Sequence, residues 1–144
     1  MATSSIRRYG TLVALLAAGA AALAADGAMR YEIVVETGMP HLDENLRYAT
    51  RREEACLDTR DLSQAFPVLR DVSLQDCLLM KSAEQDGGAV YELQCSGGHG
   101  TSGQARWQLE PGRIAGTLNV KLGGKNMTFH QRVTGRLAGA CARP

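Results

Sequence analysis

Aromatic side chains, histidine and proline are all scarce in this chain of 144 residues, and each shortage removes a class of answer. Trp107 is the only tryptophan, and with two phenylalanines and four tyrosines the core must rest on aliphatic side chains. The histidines His41, His99 and His130 stand far apart, so no two share the close spacing of a helical or strand metal motif. C-x-x-C is absent, which excludes a thioredoxin-like redox motif and a zinc knuckle. The G-x-S-x-G elbow of many serine hydrolases is missing as well. The glycine-rich stretch Ser96 to Gly103 lacks the lysine and following helix with which a P-loop cradles phosphate, and reads as a hairpin loop. No catalytic constellation stands out and no cofactor is implied. Asn126-Met127-Thr128 matches a glycosylation sequon, a pattern frequent by chance.

Long apolar runs are also lacking, apart from one near the start. Arg7 and Arg8 precede the uncharged run Thr11 to Ala22. The small residues Ala22-Leu23-Ala24 and then Asp26 follow. Positive, apolar and small-residue segments in that order mark an export signal cleaved after Ala24. The run is well short of the roughly 20 residues of a spanning helix, so a retained anchor is disfavoured and no membrane span is expected after cleavage. Ser5-Ile6-Arg7-Arg8-Tyr9 resembles a twin-arginine signal only in part, and no cysteine at the cleavage point invites lipidation. Residues 1–24 are therefore expected to be a signal and residues 25–144 a single exported domain.

Charge of one sign is missing from that domain. With Arg7 and Arg8 removed, acidic residues outnumber basic ones by one, so no basic field would attract nucleic acid or anionic lipid. The densest cluster, Arg51-Arg52-Glu53-Glu54, cancels locally and reads as a solvated strand face.

What the chain does have is alternation. In Arg113 to Leu122, Ile114, Gly116, Leu118, Val120 and Leu122 share one face, while Arg113, Ala115, Thr117, Asn119 and Lys121 share the other. This is the period of a half-buried antiparallel strand. Gln104 to Glu110 turns Ala105, Trp107 and Leu109 inward. Asn126 to Thr134 does so with Met127, Phe129 and Val133, and Ala89 to Cys95 with Tyr91, Leu93 and Cys95. Tyr31 to Thr37 is a first strand rich in β-branched residues. Asp86-Gly87-Gly88, Glu110-Pro111-Gly112 and Gly123-Gly124-Lys125 supply hairpin turns, which makes Cys77 to Leu137 a meander of five strands. Leu46 to Ala55 reads as a strand whose many charges suggest an edge or a solvent-facing position, after a loop, Gly38 to Asn45. Asp58 or Thr59 would cap one short helix, Arg60 to Ala65, ended by Pro67. The expectation is a mainly β fold: about seven antiparallel strands with one short helix, as a curved sheet or a small barrel that hides its edges.

Cys56, Cys77, Cys95 and Cys141 all follow the signal, as expected of structural disulfides in an oxidising compartment. Four cysteines allow three pairings. Local order favours Cys56–Cys77 around the short helix and Cys95–Cys141 to the C-terminal tail.

In this order the elements resemble a bacterial exported family known as domain of unknown function 3617. The likeness covers nearly all of the chain after the signal. It rests on Met29 to Thr37 with Gly38-Met39-Pro40, on Glu54-Ala55-Cys56-Leu57 before Cys77, on Tyr91 to Cys95 with its glycine-rich sequel, and on Val133 to Cys141. Tyr31 stands where that family usually has tryptophan, and its methionine- and proline-rich loop is reduced to Met39 and Pro40. The resemblance implies a proteobacterial, disulfide-bonded, exported β domain, and no activity.

These readings lead to a non-catalytic periplasmic binding or interaction module for a small apolar ligand or an envelope protein partner. Curved sheets often enclose ligands at their mouths. The alternative is a copper-handling protein using Met39, His41 and His99, or Met127 beside His130. An enzyme acting on envelope material has only the loop around His99 in its favour.

Overall fold

Alternation along the chain becomes one seven-stranded antiparallel sheet in a computed structural model that describes residues 27–39, 48–124 and 127–142. The expected signal, His41 and Asn126 of the sequon lie outside the described residues. The strands are β1 (Met29–Gly38), β2 (Tyr48–Leu57), β3 (Cys77–Gln85), β4 (Gly88–Cys95), β5 (Ser102–Glu110), β6 (Arg113–Leu122) and β7 (Met127–Ala140). Hairpin turns join β3 through β7 into the expected five-stranded meander. Gly87, Gly112 and Gly124 each take a φ between 73° and 78°, which a residue with a Cβ adopts only at a cost. No helix of the described residues is long and apolar enough to cross a membrane.

The sheet order is β2-β1-β7-β6-β5-β4-β3. The last strand returns to pair with the first along its whole length, from Met29↔Ala140 to Gly38↔His130. That pairing extends β7 to Ala140, beyond the expected end at Thr134, and makes Gly38 the last residue of β1 rather than part of a loop. The sheet stays open, so the barrel alternative does not hold: β2 and β3 are its two edges.

Residues 58–76 link those edges and cover the apolar face between them. Leu62, Phe66 and Leu74 are fully buried there. They pack with Tyr31, Ile33 and Val35 of β1, Tyr91 and Leu93 of β4, Ala105 and Trp107 of β5, Leu118 and Val120 of β6, and Phe129 and Val133 of β7. Polar groups fasten this strap. Leu62 N–H donates to Tyr91 Oη at 3.1 Å, and Val68 N–H donates to Gln131 Oε1 at 3.1 Å. Lys81 Nζ at the β3 edge donates to the Arg60 carbonyl at 2.7 Å.

The helix expected over Arg60 to Ala65 is absent. Asp58 accepts from Arg60 N–H at 2.9 Å and Asp61 from Ser63 N–H at 3.0 Å, so each side chain takes an N–H two residues on and bends the backbone into turns. The local helical structure comes later, as 3₁₀ turns at Pro67–Arg70 and Val72–Leu74. Pro67 therefore begins a helical turn instead of ending one. Its missing N–H costs nothing at that position.

The disulfides also differ from the pairing that local order favours. They are Cys56–Cys141 and Cys77–Cys95. Cys77 and Cys95 face each other in the β3–β4 register. Cys56 lies opposite Arg30 of β1, Arg30 lies opposite Gly139 of β7, and Cys141 follows just beyond that strand. Strand order brings these sulfurs together, and nearness in sequence does not.

Candidate functional site

With the apolar face covered, the other face of the sheet carries a broad concave surface. It is a trough of about 750 Å³ whose lining includes Glu32, Arg52, Gln108, Arg113, Thr134 and Arg136. Residues opposite one another in an antiparallel sheet point to the same side, so the register reads out the rows of this face. One row runs Glu54, Glu32, Arg136, Arg113, Glu110 across β2, β1, β7, β6 and β5. The next runs Arg52, Val34, Thr134, Ala115, Gln108.

The first row sets like charges side by side twice, Glu54 with Glu32 and Arg136 with Arg113. Such neighbours destabilise a sheet unless something outside the row answers them. Arg30 answers Glu54 at 3.4 Å. Arg52, Arg113 and Arg136 form no ion pair among the described residues. Arg51-Arg52-Glu53-Glu54 is thus not one solvated face. The strand period puts Arg52 and Glu54 on the trough side and Arg51 and Glu53 on the other, where Glu53 meets Arg51 at 3.4 Å and Arg70 of the strap at 3.8 Å.

A second cluster forms where the β4–β5 loop folds back on the end of the strap. Asp76 Oδ2 lies 2.9 Å from His99 Nε2 and accepts from Gly97 N–H at 2.7 Å. On the other side of the ring, Nδ1 lies 2.7 Å from Thr101 Oγ1 and 3.4 Å from Thr101 N. That backbone N–H makes Nδ1 the acceptor and leaves Nε2–H to donate to Asp76. The His99 hydrogen bond, with help from Gly97, holds the Asp76 carboxyl below its ordinary value.

Acid, imidazole and hydroxyl in line have the connectivity of a hydrolase triad, but a triad needs a hydroxyl oxygen open to substrate. Thr101 Oγ1 instead accepts from Gly123 N–H at 3.1 Å. A Cβ on Gly123 would run into the His99 carbonyl, so the β4–β5 loop and the β6–β7 turn are in tight contact. The cluster acts as a clasp between strap, loop and turn.

The residues considered for copper are spread over the fold. His99 belongs to the clasp. The His130 ring lies where a Cβ on Gly38 would go, and Met39, the next residue, packs against the core. Met127 and His130 are three apart on one strand and so point to opposite faces. A different group meets instead: Cys77 Sγ, Cys95 Sγ and a ring nitrogen of His99 all lie within 4.8 Å of one another. Sequence spacing hides this group, because only the β3–β4 register and the loop fold it together. Gln131 was also hidden. It is a polar residue at an inward position of β7, buried among apolar neighbours, and it ties the strap to Thr37 Oγ1 at 2.9 Å.

No family model matches the chain, and no curated protein and no solved structure matches it either.

Proposed function

We propose that this chain is an exported, non-catalytic interaction module of the bacterial envelope that docks a protein partner on the charged face of its sheet. The observation that carries the reading is the trough of about 750 Å³, along which Arg52, Arg113 and Arg136 form no ion pair among the described residues. Guanidinium groups on two adjacent rows of one face suit carboxylates on a partner's surface, and flanking Glu32 and Glu110 would select against purely acidic ligands. Among the described residues Leu62, Phe66 and Leu74 pack onto the apolar face, which favours a partner on the charged face over a small hydrophobic ligand. Two disulfides suit an oxidising compartment, and the ordered likeness to the exported family supports the same location.

The test is photo-cross-linking in the host envelope. A photoreactive residue replaces Thr134 in the trough or, as control, Val72, which is exposed on the strap. A discrete adduct from Thr134 alone, abolished by R113E/R136E, supports the docking face. Adducts from neither position, or the same adduct from both, would sink it.

A further inference from the structure

We propose that reduction of the Cys77–Cys95 disulfide converts the cluster at the start of β3 into a binding site for a zinc-class divalent ion. The ligands are Cys77, Cys95 and His99, with the Asp76 carboxylate beside them. The inference does not depend on the docking face. It begins with a set of donors that the fold has already gathered. The two sulfurs and a ring nitrogen lie within 4.8 Å of one another. Asp76 reaches both, with Oδ2 2.9 Å from His99 Nε2 and Oδ1 3.6 Å from Cys77 Sγ.

Two thiolates and an imidazole are the ligand chemistry that Zn²⁺ prefers, and a tetrahedral site tolerates a carboxylate or water as its fourth ligand. With Zn–S near 2.3 Å, neighbouring ligand atoms in such a site stand roughly 3.5–4 Å apart. Once the S–S bond opens, the sulfurs need only separate and the ring move in by about an ångström to reach that spacing. The Asp76 carboxylate either completes the set or holds the ring by its second nitrogen, as carboxylates do behind many zinc-bound histidines.

The chemistry balances with an external dithiol as reductant. Its thiolate attacks Cys95 Sγ, the half-buried sulfur, and Cys77 leaves as a thiolate. The reductant's second thiol then displaces Cys95 and departs as a disulfide, having given two electrons to the cysteine pair. Cys77 and Cys95 are left as thiols, and the incoming metal displaces their two protons. In the oxidised chain the sulfurs are bonded to each other and are not thiolates, so the site is closed. Cys56 and Cys141 have no comparable third donor among the described residues. Their bond ties β2 to the end of β7, away from the reactive pair.

The experiment titrates Co²⁺, then Zn²⁺, into the full chain under anaerobic conditions, oxidised and after phosphine reduction. Thiolate-to-cobalt charge transfer in the near ultraviolet is the readout. The reduced wild type is expected to bind one Co²⁺ with this band, and the oxidised chain none. C77S/C95S should lose the band, and H99A should bind at least ~10-fold more weakly. An unchanged band in C77S/C95S would assign the metal to Cys56 and Cys141 and overturn the proposal. So would a reduced wild type that keeps its strand circular dichroism and shows no band. If reduction unfolds the chain, Zn²⁺ must restore the strand signal in wild type and not in C77S/C95S; failure to restore it also overturns the proposal.

Discussion

Phe66 of the strap and Trp107 of β5 lie ring against ring, their centroids 4.8 Å apart and their planes tilted by 43°. Both side chains are buried, Phe66 completely. This contact joins the irregular part of the chain to the middle of the sheet, and so the strap's attachment depends on it. Phe66→Ala removes the strap's largest apolar group from the core and should cost about 3–5 kcal/mol. Urea denaturation followed by Trp107 fluorescence measures it directly, since no other tryptophan contributes. A loss below about 1 kcal/mol would mean that the strap is not packed as described.

Gly116 gives Trp107 its place. A Cβ there would sit 2.5 Å from Trp107 Cε3, closer than atoms can approach, and the neighbour in the way is a rigid ring in the core. Gly116→Ala should therefore destabilise by roughly 1–3 kcal/mol and shift the tryptophan emission. Gly98 makes a useful comparison because a Cβ there meets no heavy atom within 4 Å. Its φ of 67° leaves backbone strain as the main cost, so Gly98→Ala should leave the emission unchanged.

Non-reducing peptide mapping should recover Cys56 joined to Cys141 and Cys77 joined to Cys95. Recovery of Cys56 with Cys77 would overturn the strand order of the sheet. The two bonds close loops of very different length, 85 and 18 positions. In the chain-entropy model, C56S/C141S should cost about 4–5 kcal/mol and C77S/C95S about 3 kcal/mol. Thermal melts of the two double variants would rank them.

Acid should loosen the clasp. The His99 hydrogen bond and Gly97 N–H lower the Asp76 pKa in the folded protein, so the carboxylate's contribution is complete above its unfolded pKa and is lost as pH falls through the folded one. Wild type should then be more stable than D76N near neutral pH, with the difference shrinking as pH drops below about 4. Urea midpoints of both proteins from pH 6 to pH 2 test this, and a constant difference across that range would contradict it. Asp58 is lowered to about 2, because the Arg60 guanidinium and N–H both donate to it. The turns at the start of the strap should therefore keep its contribution until the solution is strongly acidic.

Much of the sheet could be read from residue order because alternation is a local property of the pleated backbone. Ile114, Leu118 and Val120 face inward for the same reason that Arg113 and Asn119 do not, and the glycines at 87, 112 and 124 mark turns wherever the chain goes next. The covalent pairing and the charged trough could not be read in that way. Cys77 and Cys95 meet because β3 and β4 are in register, and Cys56 meets Cys141 because β7 comes back beside β1. Arg113 and Arg136 become neighbours through the β6–β7 register, and Arg52 joins them only across β1.

The amino-acid sequence on its own determined the strand content, the five-stranded meander and which side chains face inward, since each depends on neighbours a few residues away. Tertiary structure decided three other features: the return of β7 to β1, the covering of the apolar face by residues 58–76, and the gathering of Asp76, Cys77, Cys95 and His99. These are choices among long-range pairings, made by burying apolar surface from distant parts of the chain together. That balance is struck over the whole sheet and leaves no periodic trace in the order of residues.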